Sequence, residues 1–290
     1  MKHIPIEFPE AWTQYELLDS GSGEKLERFG SYTVARPDPR ILWEKRLTTQ
    51  ECEKADAFYE RIGATQGQWS TRRQPPEPWI LSYNYLKLLL KPTEFKHVGV
   101  FPEQAVNWDW LTSQCTDKKL QVLNLFGYTG AATITAAAAG ASVTHVDSSK
   151  STIAWARENA ALSGVATQPI RWMEDDAYKF VLRDGRREQK YDGIIMDPPR
   201  FGRGSKGEVW KLETDLPKLL VACRAILSDH PQFILMNAYT ADLSSLVLHH
   251  LLSDFTRELG GIISFGELTI KEKNSDRLLP HGIFARWSRT

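Results

Sequence analysis

From about residue 93 onward, short apolar runs alternate with longer segments whose apolar residues recur at helical spacing. The short runs are apolar at successive positions, so their side chains are buried on both faces of a sheet. Such strands, alternating with helices, indicate a parallel sheet that helices cover on both sides. The pattern predicts an α/β fold with a Rossmann-like, mostly parallel seven-stranded sheet. Its strands are predicted near residues 120–126, 142–147, 167–173, 191–197, 232–237, 262–270 and 282–289.

The first 92 residues have a different pattern. Runs rich in β-branched and aromatic residues lie between glycines and prolines, which is typical of short strands. One helix is predicted over residues 48–63, with Thr48 or Thr49 as its N-cap. We therefore expect a small strand-rich α+β domain over residues 1–92 and a larger domain over residues 93–290. The small domain is a candidate for substrate recognition, although its aromatic residues equally suit its own core.

Composition narrows the class of protein. The chain has 290 residues, 42% of them hydrophobic and 25% charged, as in ordinary soluble proteins, and its formal net charge is zero. No overall field attracts it to nucleic acid or to a membrane, so RNA binding would need a local basic patch. The three cysteines lie far apart and no His/Cys group has zinc spacing, so no metal is expected. No run reaches the roughly 18 apolar residues of a membrane span, and the N-terminus lacks the apolar core of a signal peptide, so we expect a cytoplasmic protein.

Polar and glycine residues follow the first three predicted strands. The first strand runs into "NLFGYTG", where Gly127 and Gly130 allow close approach of a ligand, although the dinucleotide fingerprint G-x-G-x-x-G is absent. Asp147 ends the second strand, where a carboxylate suits a ribose diol, and Asp176 follows the third. Each feature also has a structural interpretation, as a tight turn or a helix cap. Their order at successive strand ends favours a common ligand site.

These segments resemble a known family. "VLNLFGYTGAAT", the aspartate after the second strand, "DDA" after the third and "IIMDPPRF" after the fourth resemble class I S-adenosylmethionine-dependent methyltransferases. The match is nearest to the bacterial large-subunit ribosomal RNA methyltransferases I and K. The segment "FKHVGVFPEQAVNW" is similar to the family pattern before the first strand, where Glu103 and Gln104 match but Ala105 replaces the usual arginine.

The resemblance implies S-adenosylmethionine as the cofactor. The loop from Asn124 to Gly130 would hold the methionine end, Asp147 the ribose, and Asp176 with Ala177 the adenine, while Asp197 would lie near the transferable methyl group. The cofactor-binding residues that it implies are Lys96, Gly99, Phe101, Gln104, Asn124, Phe126, Gly127, Tyr128, Thr129, Gly130, Asp147, Ser148, Asp176, Ala177 and Asp197.

The Asp-Pro-Pro turn is the candidate catalytic segment. Proline fixes φ and has no N–H, so Pro198 and Pro199 end the strand and stiffen the turn after Asp197. The two prolines would hold backbone carbonyls toward an incoming acceptor, Asp197 would orient it or accept its proton, and Phe201 would stack on a base. Phe201 also suits an ordinary core anchor. Enzymes of this kind that methylate exocyclic amines usually carry an aromatic residue directly after the second proline, where this chain has Arg200.

The cysteines bear on the acceptor atom. Carbon 5 of a pyrimidine is a poor nucleophile and needs a cysteine that adds at carbon 6. The resembled cytosine-C5 enzymes carry that cysteine after the fifth strand, where this chain reads "LMNAYTAD". Cys223 falls in the middle of a predicted helix, as a buried structural thiol would. We therefore expect methylation at a nitrogen rather than at pyrimidine C5.

Basic residues follow the Asp-Pro-Pro turn. Arg200, Arg203, Lys206 and Lys211 are interleaved with glycines and could contact phosphates, or could form a solvated surface loop. Tyr239 is a second candidate to contact a base. RNA is thus the expected partner, and the resemblance alone implies ribosomal RNA; no pattern specifies an oligomeric state. The alternatives are a methyltransferase acting on a protein or small molecule, a non-catalytic cofactor-binding module and, least favoured, a nicotinamide-dependent dehydrogenase.

Overall fold

The computed structural model describes residues 3–10, 12–62, 67–203, 207–239 and 242–290. The chain divides into two compact units. The first unit comprises Met1–Glu7, Val106–Leu268 and Gly282–Thr290, and the second comprises Phe8–Ala105 and Thr269–His281. The domain boundary predicted between residues 92 and 93 remains a proposal.

The helices and strands follow one another in this order. The N-terminal part contains β1 (Ile6–Glu7), β2 (Tyr15–Gly21), β3 (Glu24–Phe29), β4 (Tyr32–Pro37), α1 (Thr49–Cys52), β5 (Ala57–Arg61), β6 (Gly67–Thr71), β7 (Ile80–Tyr83) and β8 (Leu86–Leu89). After a short 3-10 helix (Pro102–Gln104) come α2 (Ala105–Cys115), β9 (Gln121–Leu125), α3 (Ala131–Ala138), β10 (Ser142–Asp147), α4 (Lys150–Leu162), β11 (Ile170–Glu174), α5 (Ala177–Arg186) and β12 (Gly193–Met196). The C-terminal part contains β13 (Phe201–Arg203), β14 (Val209–Lys211), α6 (Leu212–Arg224), β15 (Phe233–Ala238), α7 (Ser245–Phe255), β16 (Ile262–Lys271) and β17 (Leu278–Ser288).

The first unit is built on one large sheet. Its strand order is β1-β16-β17-β15-β12-β9-β10-β11, and the strands from β15 to β11 are mutually parallel. Strand β17 pairs antiparallel with β15. The predicted fold class, a mostly parallel α/β sheet with a strand-rich N-terminal part, is confirmed. The sheet has eight strands rather than seven, because the two-residue β1 pairs with β16 and is too short to produce a pattern in the sequence.

The apolar strands of the first unit have side chains buried on both faces. Every residue of β12 and β15 is buried. Ile194 packs in one hydrophobic cluster, and its neighbour Ile195 packs in another. Because successive side chains point to opposite faces, this division explains why the sequence of these strands shows no polar alternation.

The second unit contains a five-stranded sheet in the order β2-β3-β4-β5-β6 and the separate hairpin β7-β8. The helix predicted over residues 48–63 is wrong for most of its length. Thr48 and Glu51 form a reciprocal capping box that starts α1, but the helix ends at Cys52. Residues Ala57–Arg61 form β5 instead, which pairs with both β4 and β6. Pairing with two neighbouring strands has overridden the local helical pattern.

Charged side chains are buried inside the second unit. The Glu27 carboxylate, fully buried, accepts from Tyr15 Oη at 2.8 Å and from Arg36 Nε at 2.7 Å. Lys25 Nζ lies 3.5 Å from the same carboxylate and 2.9 Å from His281 Nε2. Burial raises the pKa of Glu27, but the Arg36 and Lys25 cations outweigh this effect and leave the pKa below its ordinary value. We call Tyr15, Lys25, Glu27, Arg36 and His281 the buried ionic network.

Candidate active site

Four neighbouring parallel strands of the first unit end at the same edge of the sheet. Met196 of β12 lies opposite Leu125 of β9, and Leu125 lies opposite Val146 of β10. Asp147, the last residue of β10, lies opposite Glu174, the last residue of β11. The segments that follow these strands therefore share one edge, where parallel α/β sheets bind their ligands.

The loop after β9 turns sharply. Phe126 and Tyr128 have φ of 58° and 49°, and Gly130 has φ of 85° as the N-cap of α3. Left-handed backbone at non-glycine residues is uncommon and concentrates at functional sites. The Gly127 N–H donates to the carbonyl of Val146 at 3.0 Å, which ties the loop to β10. We call residues Phe126–Gly130 the glycine loop.

Polar side chains support the glycine loop from inside the unit. Asn124 Nδ2 donates to Thr133 Oγ1 at 2.8 Å, and this hydroxyl lies 2.9 Å from His145 Nδ1. A Cβ atom on Gly127 would lie 2.3 Å from His145 Cε1, so only glycine lets the loop lie against that ring. Burial lowers the pKa of His145 to about 3, so the ring is neutral near pH 7. Asn124 was predicted from the sequence to bind cofactor, whereas Thr133 and His145 were not identified.

Asp147 links three of the loops at this edge. Its Oδ2 accepts from the Tyr128 N–H and its Oδ1 from the Ser149 N–H, both at 2.9 Å. Its backbone carbonyl accepts from the Asp175 N–H at 3.1 Å. Burial raises the pKa of the Asp147 carboxyl, and the two backbone donors act in the opposite direction. Each carboxylate oxygen retains a second lone pair, so this fixed, half-buried group fits a vicinal diol. The adjacent Ser148 is exposed.

Asp176 is the N-cap of α5. Its Oδ1 accepts from the Lys179 N–H at 2.9 Å, so the helix-cap interpretation holds for this oxygen. Ala177 is the first residue of α5 and is buried. In the glycine loop, Thr129 is buried and its carbonyl accepts from Asn159 Nδ2 at 2.9 Å. The contacts of Asp176 and Thr129 fix backbone at the rim of the sheet edge.

The Asp-Pro-Pro turn directly follows β12. Asp197 is half-buried, Pro198 is buried and Pro199 is exposed. The carbonyl of Pro199 accepts from Trp210 Nε1 at 2.7 Å. The indole N–H uses one of the two lone pairs of this oxygen, and the expected role of the Pro198 and Pro199 carbonyls toward the acceptor remains a prediction. Trp210 was not identified from the sequence, since no local pattern distinguishes it from any other tryptophan.

A short hairpin follows the turn. Strands β13 and β14 are antiparallel, with Phe201 opposite Lys211, Gly202 opposite Trp210 and Arg203 opposite Val209. Gly202 and Trp210 therefore share one face, and the other face carries the exposed residues Phe201, Arg203, Val209 and Lys211. Lys206, predicted to bind substrate, lies outside the described residues.

Two further candidates for substrate contact lie near this edge. Arg200 forms ion pairs with Glu213, at 3.6 Å, and with Asp242. Tyr239 follows β15, the neighbour of β12 in the sheet, and is half-buried. A Cβ atom on Gly282 would lie 3.1 Å from Tyr239 Cε1, which shows that the Tyr239 ring lies over that part of β17.

Comparison with known proteins identifies the family. Residues 59–243 match the model of the family described as S-adenosylmethionine-dependent methyltransferase. The crystal structure of the SAM-dependent methyltransferase from Agrobacterium tumefaciens is 43% identical, covers 99% of this chain and 95% of its own, and superimposes with a TM-score of 0.93. The chain belongs to the S-adenosylmethionine-dependent methyltransferase family. Its cofactor is therefore S-adenosylmethionine.

Other relatives of this methyltransferase carry more specific names. Ribosomal RNA large subunit methyltransferase K/L of Shewanella frigidimarina is 33% identical over 238 residues, which are 80% of this chain and 30% of the relative. Ribosomal RNA large subunit methyltransferase I of Aeromonas salmonicida is 30% identical over 172 residues, which are 59% of this chain and 39% of the relative. This methyltransferase thus spans well under half of the length of these relatives. The solved structure of SMU.776 complexed with SAH shares the fold, at 19% identity and a TM-score of 0.73 over 95% of this chain and 76% of its own.

The remaining predicted cofactor residues belong to the second unit of the methyltransferase: Lys96, Gly99, Phe101 and Gln104. Lys96 Nζ donates to the carbonyl of Pro37 at 2.9 Å, and burial lowers its pKa to about 8. Gly99 has φ of 96°, and the Phe101 ring lies 5.1 Å from that of His97. Gln104 is buried at the end of the 3-10 helix. Their role in cofactor binding remains a prediction.

Two kinds of feature are missing from the part of the methyltransferase that the structure describes. No group of three or more His, Cys, Asp or Glu side chains among the described residues could hold a metal ion. No helix in the described ranges is both long enough and apolar enough to cross a membrane.

Proposed function

We propose that this methyltransferase modifies a nitrogen of an RNA base, and we favour ribosomal RNA as the substrate. The observation that carries the proposal is the position of the exposed hairpin face directly after the Asp197-Pro198-Pro199 turn. That turn ends the strand next to β9, whose loop is the glycine loop. An aromatic ring and two cations on this face lie close in sequence to the proposed site of transfer.

The hairpin face has the chemistry that single-stranded RNA requires. Phe201 is 55% exposed, although aromatic side chains of an ordinary core are buried. Aromatic rings stack on unpaired bases, and arginine and lysine contact phosphates. Arg203 and Lys211 lie on the same exposed face as Phe201. We assign base stacking to Phe201 and phosphate contact to these two cations.

Arg200 has a smaller part in this proposal. Its guanidinium is shared between the carboxylates of Glu213 and Asp242, which neutralise it. With a net charge of zero, the protein has no overall attraction for a polyanion. Binding would therefore depend on a few local contacts, to which Lys206 and Tyr239 remain candidate additions.

The environment of the cysteines favours nitrogen as the acceptor. All three cysteines of the chain are buried. Burial raises the pKa of Cys115 and of Cys223 to about 12, and it also raises the pKa of Cys52. The covalent route to pyrimidine C5 needs an accessible thiolate, which none of these side chains offers. A nitrogen acceptor needs no covalent intermediate with the protein.

The remaining chemistry is alignment and removal of a proton. When bound, S-adenosylmethionine supplies an electrophilic methyl group on a sulfonium. Asp147 would hold the ribose hydroxyls, and Asp176 with Ala177 the adenine. Asp197, at the tip of β12, would orient the acceptor nitrogen or accept its proton. The names of the ribosomal RNA methyltransferase relatives support RNA as the substrate and, with it, a cytoplasmic location.

The test is nucleoside mass spectrometry of ribosomal RNA from cells with and without the protein. We expect one N-methylated base to disappear without the protein, to return with the wild-type chain and to stay absent with D197N. In vitro, F201A should raise the KM for that RNA about tenfold, the size of one lost stacking contact. The control V221A truncates another exposed apolar side chain, on α6, and should leave the KM unchanged.

Three results would contradict the proposal. Loss of 5-methylcytidine would show that the argument from the cysteines is wrong. Transfer of label from S-adenosylmethionine to protein or to small molecules, with none in RNA, would identify a different class of acceptor. An unchanged KM for F201A would remove the hairpin face from the substrate site.

A further inference from the structure

Trp210 connects three parts of the candidate site. Its indole Nε1 donates to the Pro199 carbonyl in the Asp-Pro-Pro turn. Its ring lies 4.9 Å from that of Phe126 in the glycine loop, at an interplanar angle of 59°. Its backbone is in β14, so it also anchors the hairpin. Only 8% of the residue is exposed.

Within strands β13 and β14, the inner face of the hairpin carries only Gly202 and Trp210. Gly202 lies opposite Trp210, and a Cβ atom on Gly202 would lie 3.4 Å from Pro199 Cγ and 3.8 Å from Trp210 Cβ. The indole therefore fills the inner face of the hairpin while the outer face carries Phe201. Any displacement of the outer face on contact with a substrate would also move the indole, because the two faces belong to one antiparallel pair.

The Asp-Pro-Pro turn needs an external restraint. Pro198 and Pro199 have no N–H, so neither can donate a backbone hydrogen bond to fix the turn. A carbonyl of the turn can still accept, and the indole N–H of Trp210 supplies the donor at 2.7 Å. The N–H of Leu212, two residues after Trp210, donates to the carbonyl of Arg200 at 3.0 Å. Trp210 of the hairpin and Leu212 at the start of α6 thus hold two consecutive carbonyls, those of Pro199 and Arg200.

We infer that Trp210 is a positioning residue for methyl transfer. Its N–H fixes the Asp-Pro-Pro turn, and its ring keeps that turn and the hairpin in register with the glycine loop. The inference rests on the proposed function insofar as Asp197 acts at the transfer step. Trp210 would contact neither the acceptor nor the methyl group. It would set the geometry in which the two meet.

The experiment compares W210F with W287F. Trp287 is buried in the same hydrophobic cluster, and its Nε1 donates to the Gly260 carbonyl at 2.6 Å. Both substitutions therefore keep an aromatic ring and remove one indole-to-carbonyl hydrogen bond. We expect W210F to lower kcat for RNA methylation about tenfold with little change in either KM, and W287F to leave kcat unchanged. Both variants should lose similar thermal stability, since they lose the same kind of bond.

A second pair of variants, W210L and W287L, tests the contact of Trp210 with the glycine loop in the absence of any acceptor. W210L removes the ring from Phe126 and should weaken binding of S-adenosylhomocysteine, measured by calorimetry, about fivefold or more. W287L should bind it as the wild type does. W210F, which keeps a ring on Phe126, should bind within twofold of the wild type.

The outcomes separate this inference from the proposed function. If the wild type methylates RNA and W210F has the kcat of W287F, or loses kcat only in proportion to its folded fraction, the inference is overturned. If the wild type methylates no RNA, the proposed function fails, and the S-adenosylhomocysteine pair alone decides on Trp210. In that case, equal affinities of W210L and W287L for S-adenosylhomocysteine would overturn the inference as well.

Discussion

The centres of the two units differ in the side chains that they bury. At the centre of the first unit, β12 and β15 bury apolar residues such as Ile194, Ile234 and Leu235 on both faces of the sheet. Inside the second unit, the buried ionic network places Glu27 and Arg36 where a core residue would be expected to be apolar. An apolar contact tolerates a small change of shape, whereas a buried charge requires its partner.

This difference affects where function can reside. Strand β12 of the first unit is apolar along its length and Asp197 directly follows it, while Asp147 is the last residue of β10. In the second unit, polar groups such as Lys25 and His281 satisfy one another in the interior. Polar residues therefore line the candidate site of the first unit, whereas in the second unit they hold the interior together.

The largest loss of unfolding free energy should come from E27Q. The substitution keeps the size of the side chain but removes the charge that compensates Arg36 and Lys25, so we expect the second unit to lose about 3–5 kcal/mol of unfolding free energy. Urea titration followed by peptide-level hydrogen exchange measures the loss in each unit. The control E24Q, on the same strand, breaks an exposed pair with Lys45 and should cost less than about 1 kcal/mol. Equal losses for the two variants would show that the network contributes no more than a surface pair.

A smaller effect should come from I194V. It removes one methylene group from the fully buried apolar centre of the first unit, which should cost about 0.5–1.5 kcal/mol. V221A, at a position that is 72% exposed on α6, is the control and should change unfolding by less than about 0.5 kcal/mol. A loss from I194V as large as that from E27Q would remove the contrast between the two interiors.

The smallest loss of stability should come from protonation of Asp56, in the second unit, at acid pH. A hydrogen bond from Arg73 is the main cause that lowers the pKa of Asp56 to about 2, and Thr33 adds further hydrogen bonds. Because the folded pKa lies below the unfolded value, the stabilisation is complete above about pH 4 and is lost as pH falls toward 2. Arg73 is half exposed, so solvent screening should keep the contribution near 1 kcal/mol or less.

The check is the difference in unfolding free energy between wild type and D56N as a function of pH. The difference should shrink between about pH 4 and pH 2, since protonated Asp56 loses its advantage over asparagine. A difference that is constant over this range would contradict the lowered pKa. In the first unit the sign is reversed for Asp147, because burial raises its pKa and favours the protonated form in the fold.

Periodicity predicted the parallel sheet because the burial of strands such as β12 is a local property of consecutive residues. It also located Asp147 and Asp197, since strand ends are visible as the points where apolar runs stop. It failed for β5, whose strand partners decide its conformation. It gave no sign of the pair Lys25 and His281, which are 256 residues apart.

Prediction from the sequence has the same limit at the candidate site. The glycine loop could be recognised because its two glycines lie only three positions apart in the chain. Trp210 could not, because its importance comes from contacts with Pro199 and Phe126 that only the folded hairpin creates. In the sequence His145 resembles any other strand residue, and only the structure shows that its ring packs against Gly127.

Segment Thr269–His281 returns from the C-terminal part of the chain to complete the second unit. It supplies Glu272, whose carboxylate accepts from Ser20 Oγ at 2.7 Å, as well as His281 of the buried ionic network. No single cleavage site can therefore release this unit intact. Any graft of this unit onto another protein would therefore have to carry both pieces of the chain.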